Sequence, residues 1–259
     1  MDSGDMNGNG GRNNMGPTYR LPALDQDYIL GDSMRGVRFL LEYSKAEEHL
    51  RAWGIRSAVV VFGSARVRPD AYRYEQARLF GKIVSEQGGA LTPKDGWRDN
   101  VIATGGGPGI MEAANRGAHE VGAPSIGFNI ALPTEPQPNA YSTPELTFNF
   151  HYFAMRKMHL AMRSSALVVF PGGFGTLDEL FELLTLSQHN KMSPVPIVLF
   201  DTAFWKKLVN FEFLVEEGMI APRDLSLFAY ADTAQEAWDA LKKKGLHKRT
   251  APTLLKEQV

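Results

Sequence analysis

The sequence predicts an α/β fold: one doubly wound parallel sheet with helices on both faces and an extra helical segment ahead of it. Three observations lead there. Short apolar runs such as Ala58 to Phe62 (AVVVF) and Val195 to Phe200 (VPIVLF) read as strands buried on both faces. These runs alternate with amphipathic stretches of helical period, and that alternation yields a parallel sheet with right-handed crossovers. Finally, three strands end in small-residue loops, at Gly63-Ser64, Gly105 to Gly109 and Gly172 to Thr176. In an open sheet of this kind, ligands sit outside the carboxyl ends of the strands, near a reversal of strand order.

The elements follow in order. Residues 1–16, rich in Gly and Asn, bury too little surface to offset the entropy of ordering and read as a disordered tail. Residues 17–56 read as an N-terminal helical extension, in which Ile29 to Trp53 places Met34, Val37, Leu40 and Leu41 at helical spacing, with Gly36 as its weak point. Residues 57–245 read as the Rossmann-like domain and 246–259 as a C-terminal tail. Within the domain, strands are expected at Ala58 to Phe62, Val101 to Thr104, Ser125 to Phe128, Ala166 to Phe170 and Val195 to Phe200, with an edge strand at Leu225 to Ala229. Helices are expected at Tyr72 to Glu86, Ile110 to Val121, Phe150 to Arg163, Thr176 to His189, Trp205 to Glu217 and Ala234 to Lys244. Pro133 to Pro144 reads as a long proline-rich connection of the kind that carries function.

Composition narrows the function. The 259 residues, 44% hydrophobic and 22% charged, suffice for one large domain with a full core. A net charge of -1 offers no general attraction to nucleic acid or an anionic membrane, and the basic residues Arg156, Lys157, Arg163 and Lys242 to Lys244 fall in separate elements. The absence of cysteine excludes disulfides, thiol catalysis and thiolate metal sites. The opening residues have no apolar core like that of a signal peptide, and no run of about 18 apolar residues occurs, so a cytoplasmic protein without a membrane segment is expected. His49, His119, His151, His159, His189 and His247 form no ligand motif, and neither a metal nor a cofactor is expected.

Pro171-Gly172-Gly173-Phe174-Gly175-Thr176-Leu177-Asp178-Glu179 joins a buried strand to a helix through a loop almost free of side chains. Glycines let the backbone approach a ligand, and the helix N-terminus offers N–H groups and positive dipole charge to a phosphate. Glu179 has two readings: a carboxylate for chemistry on the ligand, or the returning partner of a capping box begun by Thr176. Arg156, His159 and Arg163 share a helical face that is either a solvated basic stripe or, because the next strand feeds the Pro171 loop, part of the same pocket. The adjoining stripe, Met155, Met158 and Met162, faces a core or a partner. No Gly-x-x-x-x-Gly-Lys-Ser/Thr occurs, and Ile110 stands where a Gly-x-Gly-x-x-Gly starting at Gly105 needs glycine, so neither a P-loop NTPase nor a dinucleotide dehydrogenase is supported.

Met155-Arg156-Lys157 followed by the Pro171 to Glu179 segment resembles the paired Arg-Lys and PGGxGTxxE signature of the LOG ("lonely guy") phosphoribohydrolases, long misnamed lysine decarboxylases. Gly105-Gly106-Gly107-Pro108-Gly109-Ile110-Met111-Glu112-Ala113-Ala114-Asn115 resembles the family's other glycine loop, and similarity to the longer bacterial branch runs from about Ala58 to Leu241. The resemblance implies hydrolysis of the N-glycosidic bond of a nucleoside 5′-monophosphate, AMP or a cytokinin riboside 5′-monophosphate, to free base and ribose 5-phosphate. It implies Arg156 and Glu179 as the catalytic pair, with Ser64, Gly107, Gly109, Glu112, Lys157, Gly172, Gly173, Gly175 and Thr176 binding substrate. It also implies a homodimer or higher homo-oligomer. Phe153-Ala154 departs from the Met-His of the plant-type enzymes, so their base preference does not transfer. A noncatalytic nucleotide or cofactor carrier on the same fold is the alternative.

Overall fold

The computed structural model describes residues 16–131, 137–189, 191 and 195–246. The expected disordered tail up to residue 15, His247 with the C-terminal tail beyond it, and residues 132–136 of the proline-rich connection lie outside the described residues. The chain divides into two compact units, the first ending at Leu41 and the second beginning at Glu42.

In the first unit, the long helix expected from Ile29 is broken. A short helix α1 (Gln26–Leu30) ends at Gly31, a 3-10 turn spans Asp32–Met34, and α2 (Arg35–Ala52) begins, its residues from Glu42 onward belonging to the second unit. Asp25 caps α1 by accepting from the Tyr28 N–H at 3.2 Å, while Arg38 donates to the carbonyls of Ile29 and Gly31 at 2.8 and 2.7 Å. The weak point is therefore Gly31; Gly36 stays helical.

The second unit is the α/β domain. Its strands β1 (Ala58–Phe62), β2 (Val101–Thr104) and β3 (Ser125–Ile130) alternate with helices α3 (Tyr72–Gly88) and α4 (Ile110–Glu120). Then come β4 (Thr147–Phe150), α5 (Phe153–Arg163), β5 (Ser164–Val169), α6 (Phe174–Gln188) and β6 (Ile197–Phe200). Helices α7 (Thr202–Leu208) and α8 (Phe211–Glu216), β7 (Phe228–Ala231) and α9 (Ala234–Lys243) complete it. All seven strands are parallel, in the order β4-β3-β2-β1-β5-β6-β7. The order reverses between β1 and β5, which is where an open sheet of this class accommodates ligands. The expected fold class is therefore the observed one.

Three local readings change. Thr147–Phe150 is a strand paired with β3, from Gly127 opposite Thr147 to Ile130 opposite Phe150, where the sequence reading had loop and the start of a helix. Its alternating signal, with Phe148 and Phe150 buried, is only four residues long. The helix expected from Trp205 splits because the Asn210 side chain accepts from the Phe213 N–H at 3.0 Å and starts a new helix. The edge strand begins at Phe228, because Pro222–Leu227 forms a 3-10 turn first.

Helices α3 and α4 touch through glycine. A Cβ at Gly81 would stand 2.2 Å from the Ala114 carbonyl oxygen, and one at Gly117 would stand 1.9 Å from the carbonyl oxygen of Arg78. Alanine in a helix interior ordinarily gains about 1 kcal/mol over glycine, whereas overpacking costs about 1–3 kcal/mol, and here the obstacle is rigid backbone. Gly117→Ala is thus expected to lower stability by about 2 kcal/mol in urea unfolding at unchanged m-value; a gain would contradict this packing.

Candidate active site

The loops after β1, β2 and β5 are tied together by backbone. The Ser64 N–H donates to the Pro171 carbonyl at 3.0 Å, and the Ser64 carbonyl accepts from the Ile110 N–H at 3.2 Å, at the start of α4. Gly109 has φ +68°, a left-handed conformation, and a Cβ there would lie 2.5 Å from the Ser64 carbonyl oxygen, so glycine is required on both counts. The Ser64 hydroxyl accepts from the Arg66 N–H at 3.1 Å. Ser64 and Gly109 therefore join the loops, whatever else they contact.

The β5 loop corrects one reading. Helix α6 begins at Phe174 with Gly173 at its N-cap, and the N–H groups of Thr176 and Leu177 both reach the Gly173 carbonyl at 3.0 Å. Thr176 is consequently inside the helix and heads no capping box with Glu179. Its hydroxyl packs on Gly172, where a Cβ would be 2.1 Å from it, so Gly172 is a packing glycine. Gly173 and Gly175 differ: a Cβ at either would meet no atom within 4 Å, which leaves the positive end of α6 approachable.

Glu179 is 5% exposed, and its Oε1 lies 4.0 Å from Nη2 of Arg156 on α5. Burial pushes the carboxyl up to about 7, with Asp178 and Glu182 adding to the rise and Arg156 and Lys157 opposing it. The Arg156 guanidinium stands 6.0 Å from the ring centre of Phe62 and 5.9 Å from that of Phe153, and its Nη2 would be 3.2 Å from a Cβ at Gly105. The β2 loop thus supports the arginine that faces the glutamate. Lys157 binds Asp178 at 2.9 Å and Glu182 at 3.1 Å; burial alone would lower its pKa, and these two carboxylates raise it. Glu112 is likewise engaged, accepting from the Tyr74 hydroxyl at 2.7 Å, while burial and that bond push Tyr74 up to about 12.

The basic face of α5 is not solvated. His159 is fully buried between the rings of Tyr43 and Phe128, at 5.4 and 6.1 Å, and burial pushes it down to about 4. Arg163 is buried against Glu47 at 2.5 Å. Met155, Met158 and Met162 are only half-buried, so the more deeply covered face is the basic one.

Three asparagines to which the sequence reading assigned no role build the β2 loop. Asn115 accepts from the Thr104 hydroxyl at 2.7 Å and from the Asn139 amide at 3.1 Å, and donates to Ser125 at 3.0 Å. Asn139 also donates to the carbonyls of Gly106 and Gly107, both at 3.1 Å. Asn129 covers Gly106, whose φ is +72° and where a Cβ would lie 2.0 Å from the amide oxygen. Gly107 is closed off by the flexible end of Met111, 2.8 Å from a Cβ built there. The available signal was Asn115 closing the Gly-Ile-Met-Glu-Ala-Ala-Asn run; nothing local marked Asn129 or Asn139. Among the described residues, no group of three or more His, Asp or Glu side chains is arranged to hold a metal ion, and no helix is long and apolar enough to cross a membrane.

The family model described as "Possible lysine decarboxylase" matches residues 111–241. The cytokinin riboside 5′-monophosphate phosphoribohydrolase LOG3 of Arabidopsis thaliana is 27% identical over 214 residues, covering 80% of this chain and 92% of that protein. The probable cytokinin riboside 5′-monophosphate phosphoribohydrolase LOGL5 of Oryza sativa subsp. japonica is 30% identical, covering 70% of this chain and 69% of that one. The X-ray structure of TM1055, a structural genomics target, superposes with a TM-score of 0.51 at 18% identity, over 72% of this chain and 99% of that one, and so shares the fold. With a family model spanning half the chain and a plant relative 30% identical and covered over more than two thirds of its length, the chain belongs to the LOG family, the group long described as lysine decarboxylases.

Proposed function

We propose that the protein hydrolyses the N-glycosidic bond of a nucleoside 5′-monophosphate, AMP or a cytokinin riboside 5′-monophosphate, to free base and ribose 5-phosphate. The observation that carries this reading is Glu179: a carboxylate withdrawn from water, poised near neutral pH, and facing Arg156 beside the open N-terminus of α6. The relatives' names support the substrate class. In this scheme Gly173 and Gly175 admit the 5′-phosphate to the α6 N–H groups, while Gly107, Gly109, Gly172 and Thr176 shape the loops around it. Cleavage of a ribosyl C–N bond passes through an oxocarbenium-like state, and the Glu179 carboxylate both stabilises that positive charge and takes a proton from the water attacking C1′. The bonding electrons leave with the base, which takes a proton from solvent, and Glu179 returns to solvent the proton it took from water. Arg156 stays protonated and orients phosphate or carboxylate. A carrier would gain nothing from holding a desolvated carboxylate against the ligand; it would retain AMP intact, whereas the hydrolase releases adenine.

The expected homodimer or higher homo-oligomer belongs to the same proposal. Beside the site, α6 presents Phe174, which is 92% exposed, together with Leu177 and Phe181, an apolar strip that a second copy would cover. Light scattering that reports a 28.7 kDa monomer at micromolar concentration would contradict it.

Purified protein is expected to release adenine and ribose 5-phosphate from AMP in the presence of EDTA, with adenosine reacting far more slowly. Loss of activity in EDTA and recovery with a divalent ion would overturn the metal-free scheme. Because Glu179 acts as the carboxylate, kcat/KM should rise with pH through about 7, the value to which burial moves it. Glu179→Gln should lower turnover by at least about 100-fold, on the order of 3 kcal/mol, with AMP still bound; a loss below about threefold would remove Glu179 from the mechanism.

The same substitution should alter stability in the opposite sense. The folded state holds the Glu179 proton more tightly than the unfolded chain, whose value is near 4.5, so stability falls as pH rises from there to about 7. Glu179→Gln removes that loss. It should melt higher than wild type at about pH 8, where it is more stable by on the order of 3 kcal/mol, with the gap closing near pH 5. Equal melting temperatures at both pH values would mean that the carboxylate is not desolvated.

A further inference from the structure

Helix α5 begins unfavourably. Its N-cap, Tyr152, makes no side-chain capping bond, and its first turn contains no acidic residue. Arg156 and Lys157 come almost at once, and cations at the positive end of a helix dipole are repelled by it. The missing anion comes from a distant part of the chain. The Glu42 carboxylate, on α2, accepts the His151 N–H at 2.8 Å and the Tyr152 N–H at 3.2 Å. The Tyr152 carbonyl in turn accepts the N–H groups of Met155 at 3.1 Å and Arg156 at 3.2 Å. One residue, Tyr152, therefore separates the Glu42 contact from the backbone of the arginine that faces Glu179. Further along α5, Tyr43 stacks on His159 and Glu47 pairs with Arg163, so the part of α2 within the second unit contacts α5 as far as its last residue.

We propose that Glu42 is a positioning residue: by capping α5 from outside, it sets the placement of that helix and holds the Arg156 guanidinium opposite Glu179. Its catalytic consequence rests on the hydrolase reading above; its geometric consequence does not. The charged groups around Glu179 are Arg156 and Lys157 from α5, and Asp178 and Glu182 from α6. Only the two cations oppose the effect of burial, and both ride on the helix that Glu42 caps. If α5 shifts, their influence weakens and Glu179 titrates at higher pH.

The test compares Glu42→Gln, which keeps an acceptor oxygen but loses the charge, with Glu47→Gln at the far end of the same helix pair. With AMP, Glu42→Gln should lower kcat about tenfold, leave KM within about twofold, and move the acid limb of the rate profile upward. The titration midpoint of the Glu179 carboxyl, followed by 13C NMR on the intact protein, should rise in parallel. Glu47→Gln should lower the melting temperature without moving that midpoint. Glu42→Asp, which retains the charge but retracts it, should give an intermediate midpoint, and it carries the test alone if Glu42→Gln does not fold. A Glu179 midpoint unchanged in the Glu42 variants, or displaced equally by Glu47→Gln, overturns the proposal. Wild-type protein that hydrolyses no nucleoside 5′-monophosphate would defeat the hydrolase reading instead, while the NMR titration would still decide the role of Glu42.

Discussion

A carboxylate at position 179 can stay near 5% exposure only if something offsets its charge, and most of the second unit serves that condition. The arginine that faces it lies on another helix, braced by the ring of Phe62 from β1, by Phe153, and by the bare backbone of Gly105 in the loop after β2. Bringing those pieces within reach requires β1 and β5 to be neighbours, which the reversal in strand order provides. Ser64 then fixes the spacing by bonding to Pro171 on one side and Ile110 on the other. The electrostatic oddity and the topology are thus one design problem: a desolvated acid is tolerable only at a point where three loops supply its surroundings.

How much of this could be read from the amino acids depended on the range of the interaction. β1 and β2, whose burial is continuous, matched to the residue. The four-residue β4, too short to show a period, was invisible. At the site, Arg156 and Glu179 were legible because each sits in a motif with local spacing, and the structure brings them together. Local spacing also misled: Thr-Leu-Asp-Glu fits a capping box, but two glycines let the helix start earlier, with Gly173 as its cap. The basic face of α5 stayed open between a solvated stripe and part of the pocket because the partners that bury it, Tyr43, Glu47 and Phe128, are remote in sequence. Asn129 and Asn139 were missed for the same reason.

The glycines show why a motif alone does not define a binding surface. Gly109 and Gly172 are dictated by neighbours that a Cβ would strike, whereas Gly173 and Gly175 border open space. Both kinds stand in one short signature, and both are needed: the first kind lets loops nest, and the second lets a ligand in. The asparagine network plays the complementary part, because Asn139 donates to the Gly106 and Gly107 carbonyls that a side-chain-free loop leaves behind, and Asn115 accepts from the same amide.

The pairing of β1 with β5 also governs how the molecule comes into being. Val60 must find Leu167 across a span that includes three other strands, and the first four strands can pair among themselves before β5 exists. Contacts so remote along the chain close slowly, since their loop entropy is lost before any contact is gained. A ribosome extruding this chain therefore releases a half-sheet with one β1 edge unsatisfied and apolar, and that edge is the point at which an interrupted nascent chain would aggregate.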